Sequence, residues 1–320
     1  MSQSDTFSLR GLKSFFVGGE NVSLDLTPTG NVALAMGSAA RPLAQAGNYE
    51  VGQMYVQGFL GAPADGTAPI LMWHGGGMTG VTWESTPDGR PGWLELALRD
   101  GFDVYVSDAV ERGRSSAPPD AITGMDVVFR PKELSWEVFR MGPDGGFDID
   151  PAKRTIYPDQ RFPMQAFDTF TKQFVARWPN LVPRVKAAYR DYLSRFENCI
   201  VMVHSQGGGM LIDTTLACPG RVKALVLIEP SGAPEVDDVS ANKDIPHLVV
   251  WGDYFDRSPR WQEYRGEVER YLDGIASMGG QVDVIDLPAR SIAGNSHFPM
   301  MDDNSADVWA MVSDWIRALK

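Results

Sequence analysis

Residues Cys199–Ala217, CIVMVHSQGGGMLIDTTLA, decide the fold. The apolar run Cys199–Val203 is short and rich in β-branched residues, which predicts a buried strand. HSQGGG follows, carrying one serine, and a helical run begins at once and continues to Ala217. A strand, a sharp turn and a helix in immediate succession hold Ser205 on a strained corner, with its hydroxyl exposed at the sheet's end. Gly207 and Gly208 allow the helix to pack closely behind it. The common form of this corner has glycine two residues before the serine; here that position is Val203.

Outward from this corner, strand patterns recur at Ser14–Val17, Val51–Phe59, Pro69–Trp73, Phe102–Ser107, Val222–Ile228, His247–Trp251 and Val282–Asp286. Helical spacing is predicted for Trp93–Arg99, Gln165–Trp178, Pro183–Phe196, Trp261–Met278 and Ser305–Leu319. The first two strands read as antiparallel edge strands. The rest alternate with helices, which predicts a mostly parallel central sheet wrapped by helices. All 320 residues are expected to form one α/β domain. Residues 117–162, rich in Pro and Gly, break the rhythm and are expected to form a lid-like insertion.

The charge balance narrows the partners. Against 29 Lys and Arg stand 41 Asp and Glu, a net charge of −12. Nucleic acid and anionic membrane surfaces are therefore not expected partners, and a strongly anionic substrate is disfavoured. No apolar stretch is long enough to span a membrane. The N-terminus has no basic-then-apolar leader pattern, so a cytoplasmic protein is expected. Cys199 and Cys218 lack disulfide-framework and metal-ligand spacing, and no metal or cofactor is expected.

A serine at such a corner needs a base, and the chain offers four histidines. His74 opens HGGGMTG, where it would order the loop. His204 neighbours Ser205 and should point elsewhere. His247 starts a buried strand. His297, in GNSHFPMMD after the last strand, is the candidate base. The orienting acid is either Glu229, directly after one strand, or Asp253 or Asp256 after the next. Gly75–Gly77 offers unobstructed backbone N–H groups for an oxyanion, with Gln206 as the second donor. Neither glycine-rich run has the Lys and Ser/Thr of a phosphate-binding loop.

The combination SFFVGG, HGGGMTG, TWESTPDGRPGW, HSQGG, IEPSG and GNSHFPMMD resembles the bacterial α/β-hydrolase serine esterases of the esterase-seven-one-three type. The resemblance runs from about Ser14 to Asp302. It implies the α/β-hydrolase fold, a triad of Ser205, Glu229 and His297, oxyanion donors at Gly76 and Gln206, and a homodimer. The family's namesake is exported and has two adjacent, disulfide-linked cysteines; this chain has Gly76–Gly77 there.

Trp83 and Phe298 are candidate substrate contacts, with loop packing the plain alternative for both. Met300 beside Phe298 carries the same alternative. Phe129, Trp136, Phe139 and Phe147 would either hang over the site or attach the insertion to the core. As a lid they imply a bulky apolar or aromatic ester. Arg112 and Arg114 read as loop ion-pair residues, and Met301, Asp302 and Asp303 as the start of the last helix. The leading expectation is a carboxylic ester hydrolase acting through an acyl-enzyme. Alternatives are a lactonase, amidase or carbon–carbon hydrolase with the same triad, or a non-catalytic receptor for a small ligand.

Overall fold

The structure is a computed structural model that describes residues 7–26, 30–62, 67–235 and 237–319. Its strands are β1 (Gly11–Leu24), β2 (Asn31–Val32), β3 (Arg41–Pro42), β4 (Gly47–Leu60), β5 (Ile70–Trp73), β6 (Val104–Asp108), β7 (Cys199–His204), β8 (Val222–Ile228), β9 (His247–Trp251) and β10 (Val282–Asp286). The α-helices are α1 (Val81–Glu84), α2 (Trp93–Arg99), α3 (Asp120–Thr123), α4 (Lys132–Val138), α5 (Phe167–Phe170), α6 (Val182–Leu193), α7 (Gln206–Ala217), α8 (Pro259–Ser277) and α9 (Ser305–Ala318).

Eight strands form one sheet in the order β1-β4-β6-β5-β7-β8-β9-β10. The five pairings from β6 to β10 are parallel. β1 pairs antiparallel with β4, and β4 antiparallel with β6. The sheet is therefore that of an α/β-hydrolase fold. Of the first two long strands, both expected at an edge, β1 does lie at one edge of the sheet, opposite β10, and β4 lies inside. Both run longer than expected because an antiparallel ladder from Gly11↔Leu60 to Leu24↔Gly47, broken only at Gly19 and Gly52, ties them together.

Side-chain alternation splits the core between the two faces of the sheet. On β7, Ile200 and Met202 join one cluster, with α2, α9 and the aromatics Trp136, Phe139 and Phe162. Cys199, Val201 and Val203 join the other, with α6, α7 and α8. With both faces covered, β5 and β7 up to Val203 can be apolar, and every residue of either strand is buried.

The helix expected over Gln165–Trp178 is broken. A 3₁₀ turn (Met164–Ala166), α5 and a second 3₁₀ turn (Thr171–Gln173) replace it. Two ties pull the chain out of helical register. The Val175 N–H donates to Gly77 O at 3.0 Å, and Arg177 exchanges backbone bonds with Val128. Phe167 and Phe170 are fully buried among aromatic rings that a regular amphipathic helix would not serve equally. Met301–Asp303 do not begin the last helix either, which starts at Ser305.

Residues 117–162 hold α3, α4 and a 3₁₀ turn at Pro151–Lys153. Their aromatics divide. Phe129 is 68% exposed. Trp136 and Phe147 pack on each other and on Phe167. Only Phe139 reaches the site described next.

Candidate active site

β7 ends at His204, and Ser205 takes φ 55° and ψ −123° before α7 begins. That conformation is costly for a residue with a Cβ and persists only where neighbours enforce it. Here the Ser205 N–H donates to Ile228 O at 3.1 Å, and its carbonyl accepts from Gly208 and Ser231. Gly207 is required by contact. A Cβ there would meet Val203 Cγ2 at 2.4 Å and the His74 carbonyl at 3.0 Å. This explains how Val203 stands where glycine is usual: the space is supplied from Gly207.

His297 Nε2 lies 2.9 Å from Ser205 Oγ, and its Nδ1 lies 3.0 Å from Glu229 Oε2. Both His297 and Glu229 are wholly buried. A carboxylate at Nδ1 fixes the proton there and leaves Nε2 to accept from the serine hydroxyl. Burial, aided by the cations Arg140 and Arg130, holds His297 well below the ordinary histidine range. It is therefore neutral, as a base must be. Phe139 stacks on its ring at 5.5 Å and Trp261 lies 4.2 Å away.

Of the alternative acids, neither faces His297. Asp253 accepts from the Tyr254 and Gly294 N–H groups, and Asp256 is exposed beside Arg257. Glu229 directly follows β8, has φ 49°, and also accepts from the Gly252 N–H. Arg140 Nη2 donates to its Oε2 at 2.7 Å, and Arg140 Nε donates to Asp253 O.

The other histidines take the structural places expected of them. His74 Nε2 accepts from the Ala109 N–H, so its Nδ1 proton goes to Gly75 O. His204 Nε2 donates to the His297 carbonyl at 2.8 Å. His247 lies against Ile245 O and the Tyr271 hydroxyl. Arg112 pairs with Glu111, and Arg114 with Asp108.

Gly76 and Gln206 line a cavity over Ser205 of about 160 Å³. Among the described residues, no protein acceptor takes either backbone N–H. A Cβ at Gly76 would meet Gln206 Oε1 at 2.5 Å. The loop is held through His74 and the Val175–Gly77 bond rather than by a disulfide. The remaining wall comes from Leu134, Val138 and Phe139, from Trp261 and Tyr264 of α8, from Ser231, and from three arginines. Trp83 and Phe298 are not among these residues. Trp83 is wholly buried against Trp93. Phe298 is wholly buried behind His297, edge-on to Phe139 and Phe170. Packing claims both.

Around the Ser205–His297–Glu229 line, sequence reading missed the parts played by Arg140 and Asp302. Arg140 lies 89 positions from Glu229, and nothing local announces the pairing. Asp302 is buried and accepts from Asn295 Nδ2, the Ser296 N–H and Ser296 Oγ, bracing the His297 loop. Burial pushes Asp302 up to about 7 against those three bonds. The signal available was an acid five residues after His297, ahead of any helix.

This sheet and these contacts belong to an α/β-hydrolase with a serine at the strand–helix corner. The chain is 31% identical to a solved structure described as a novel bacterial esterase, over 98% of this chain and 97% of that one, with a TM-score of 0.83. It is also 27% identical over 255 residues to a protein named "Probable secreted lipase phiG", from Fungal sp. (strain ATCC 74256). That match takes in 76% of this chain, which spans 63% of the lipase's length. No family model matches the chain. The chain belongs to the α/β-hydrolase family of esterases. Among the described residues, no helix is long and apolar enough to cross a membrane.

Proposed function

We propose that this chain hydrolyses carboxylic esters through an acyl-enzyme on Ser205. The observation that carries the reading is the unbroken line Ser205 Oγ–His297–Glu229, opening on a cavity. His297 Nε2 takes the hydroxyl proton as Oγ bonds to the ester carbonyl carbon. The carbonyl oxygen becomes an oxyanion, held by the N–H groups of Gly76 and Gln206. Glu229 stabilises the imidazolium. When the tetrahedral intermediate collapses, the C–O bond to the alcohol breaks and His297 returns its proton to that oxygen. A water then repeats the sequence on the acyl-enzyme, giving the acid and free Ser205.

Lactones present the same carbonyl and are a second substrate class for this chemistry. We further propose that residues 117–162 act as a lid, supported by the four cavity residues they supply, Arg130, Leu134, Val138 and Phe139, and that the chain is a homodimer, as its family resemblance implies. Two free thiols, Cys199 and Cys218, support a cytoplasmic setting; the word "secreted" in the lipase relative's name points outward, and cell fractionation decides.

Ser205→Ala should abolish p-nitrophenyl ester turnover with circular dichroism unchanged. A fluorophosphonate probe should label the native chain and not the variant. Full activity in Ser205→Ala would overturn the assignment, and an unlabelled native chain would indicate a non-catalytic receptor.

A further inference from the structure

Three guanidinium groups, those of Arg130, Arg177 and Arg260, line the cavity that holds Ser205 and Gly76. Among the described residues none of them is paired with a carboxylate. Arg112, close to this group, does have such a partner in Glu111 at 2.9 Å. Arg130 is the most enclosed of the three. Its guanidinium lies over the Phe139 ring at 4.7 Å, and its Nε is buried with no hydrogen-bond partner.

Such an arrangement is unfavourable in the free protein. Buried donors without acceptors cost free energy, and like charges in a half-enclosed space repel. Burial pushes Arg130 down to about 10, and the cations Arg177, Arg112 and Arg260 add to it. The chain as a whole is strongly acidic, so this local reversal of sign is not a by-product of composition. What relieves it is an anion with several oxygen acceptors, which guanidinium groups bind in forked geometry.

Resting on the ester-hydrolase reading, we propose that the preferred substrate carries a carboxylate near its scissile ester, bound by Arg130, Arg177 and Arg260. About 160 Å³ is small beside the 300 Å³ or more typical of drug-sized ligands, which favours a compact half-ester or carboxy-lactone. Leu134, Val138 and Trp261 offer apolar wall for the few carbons between the two groups. The bound carboxylate would also neutralise Arg130, one of the cations that suppress the basicity of His297. The correct substrate thereby improves its own general base. This departs from the expectation of a bulky apolar ester. It also sets the local charge of the site against the net charge of the chain.

The test compares kcat/KM within two matched ester pairs. In the first, mono-p-nitrophenyl glutarate and p-nitrophenyl pentanoate differ in the acyl part. In the second, p-carboxyphenyl acetate and p-tolyl acetate differ in the alcohol part. The native chain should favour the carboxylate member of at least one pair by about tenfold or more, mainly through KM. In Arg130→Gln and Arg177→Gln that ratio should fall toward one; Arg130→Lys should retain part of it. Arg260→Gln, at an exposed position, serves if the others do not fold. A native chain that takes the fluorophosphonate label and turns over neutral esters, yet shows no carboxylate preference in either pair, overturns the proposal. So does a preference that survives every arginine variant. If the native chain neither labels nor turns over any ester, the ester-hydrolase reading itself fails.

Discussion

Arg140 Nη2 sits 2.7 Å from Glu229 Oε2, the same oxygen that faces His297 Nδ1. A buried carboxylate thus serves two cationic or polar donors at once, with Gly252 N–H on its other oxygen. Both members of the ion pair are out of water, at 1% and 0% side-chain exposure. Breaking such a pair from one side leaves an uncompensated buried charge.

Arg140→Gln should therefore destabilise the fold by about 3–5 kcal/mol, read by urea unfolding. It should also lower kcat by about tenfold or more, since Glu229 loses a group that aims it. Arg140 is one of the cations depressing His297, so its removal moves that histidine back toward its ordinary range. The acid limb of kcat/KM should then shift to higher pH. A residue that merely supports the fold would reduce the rate without moving the limb, and Arg140→Lys should restore most of the native profile.

Acid should destabilise the fold steeply. Burial brings His74 and His247 down to about 4 and holds His204 and His297 well below the ordinary range. Between about pH 4 and 6.5 the unfolded chain binds these protons and the folded chain does not, so stability rises with pH across that window. Asp302, pushed up to about 7, runs the opposite way: folded, it keeps a proton that the unfolded chain releases. Glu84 and Glu111, also pushed up by burial, run the same way as Asp302; the four histidines outweigh these carboxyls, and near pH 5 unfolding should take up protons on balance. Denaturant melts at pH 7.5, 6 and 5 measure the slope; a flat profile would contradict the buried neutral histidines.

Gly207→Ala should destabilise by about 1–3 kcal/mol, because the new methyl would overlap Val203 Cγ2. Val203→Ala alone opens a small cavity. The double variant should recover much of the Gly207→Ala loss, giving a coupling energy of about 1 kcal/mol or more in a thermal or urea cycle. Simple additivity would mean that the His74 carbonyl, not Val203, limits the space.

The sheet was legible because its central strands are short apolar runs ending in turns, and β7, β8 and β9 fall where the runs do. Ser205 and His297 were legible through the strand–turn–helix pattern and the scarcity of histidine. Glu229 was not separable from Asp253 by position, since both follow strands; the resemblance favoured it, and the 3.0 Å contact to His297 distinguishes it. Trp83 and Phe298 misled because an aromatic near a site in sequence says nothing about which way it faces. Arg130, Arg177 and Arg260 converge from three separate segments, so no local spacing marks them. The helix over Gln165–Trp178 failed because its ties to Gly77 and Val128 are tertiary.

β7 and β8 are paired through His204↔Ile228, and the next residue on each is Ser205 and Glu229. Ser205 and Glu229 are therefore two fixed posts, locked together by ladder hydrogen bonds that cannot shift unless the sheet opens. His297 alone hangs from a loop, braced by Asp302 from below and by the His204 ring from the side. Movement that arms or disarms the site thus has one hinged part to act on, the Asn295–Asp302 segment.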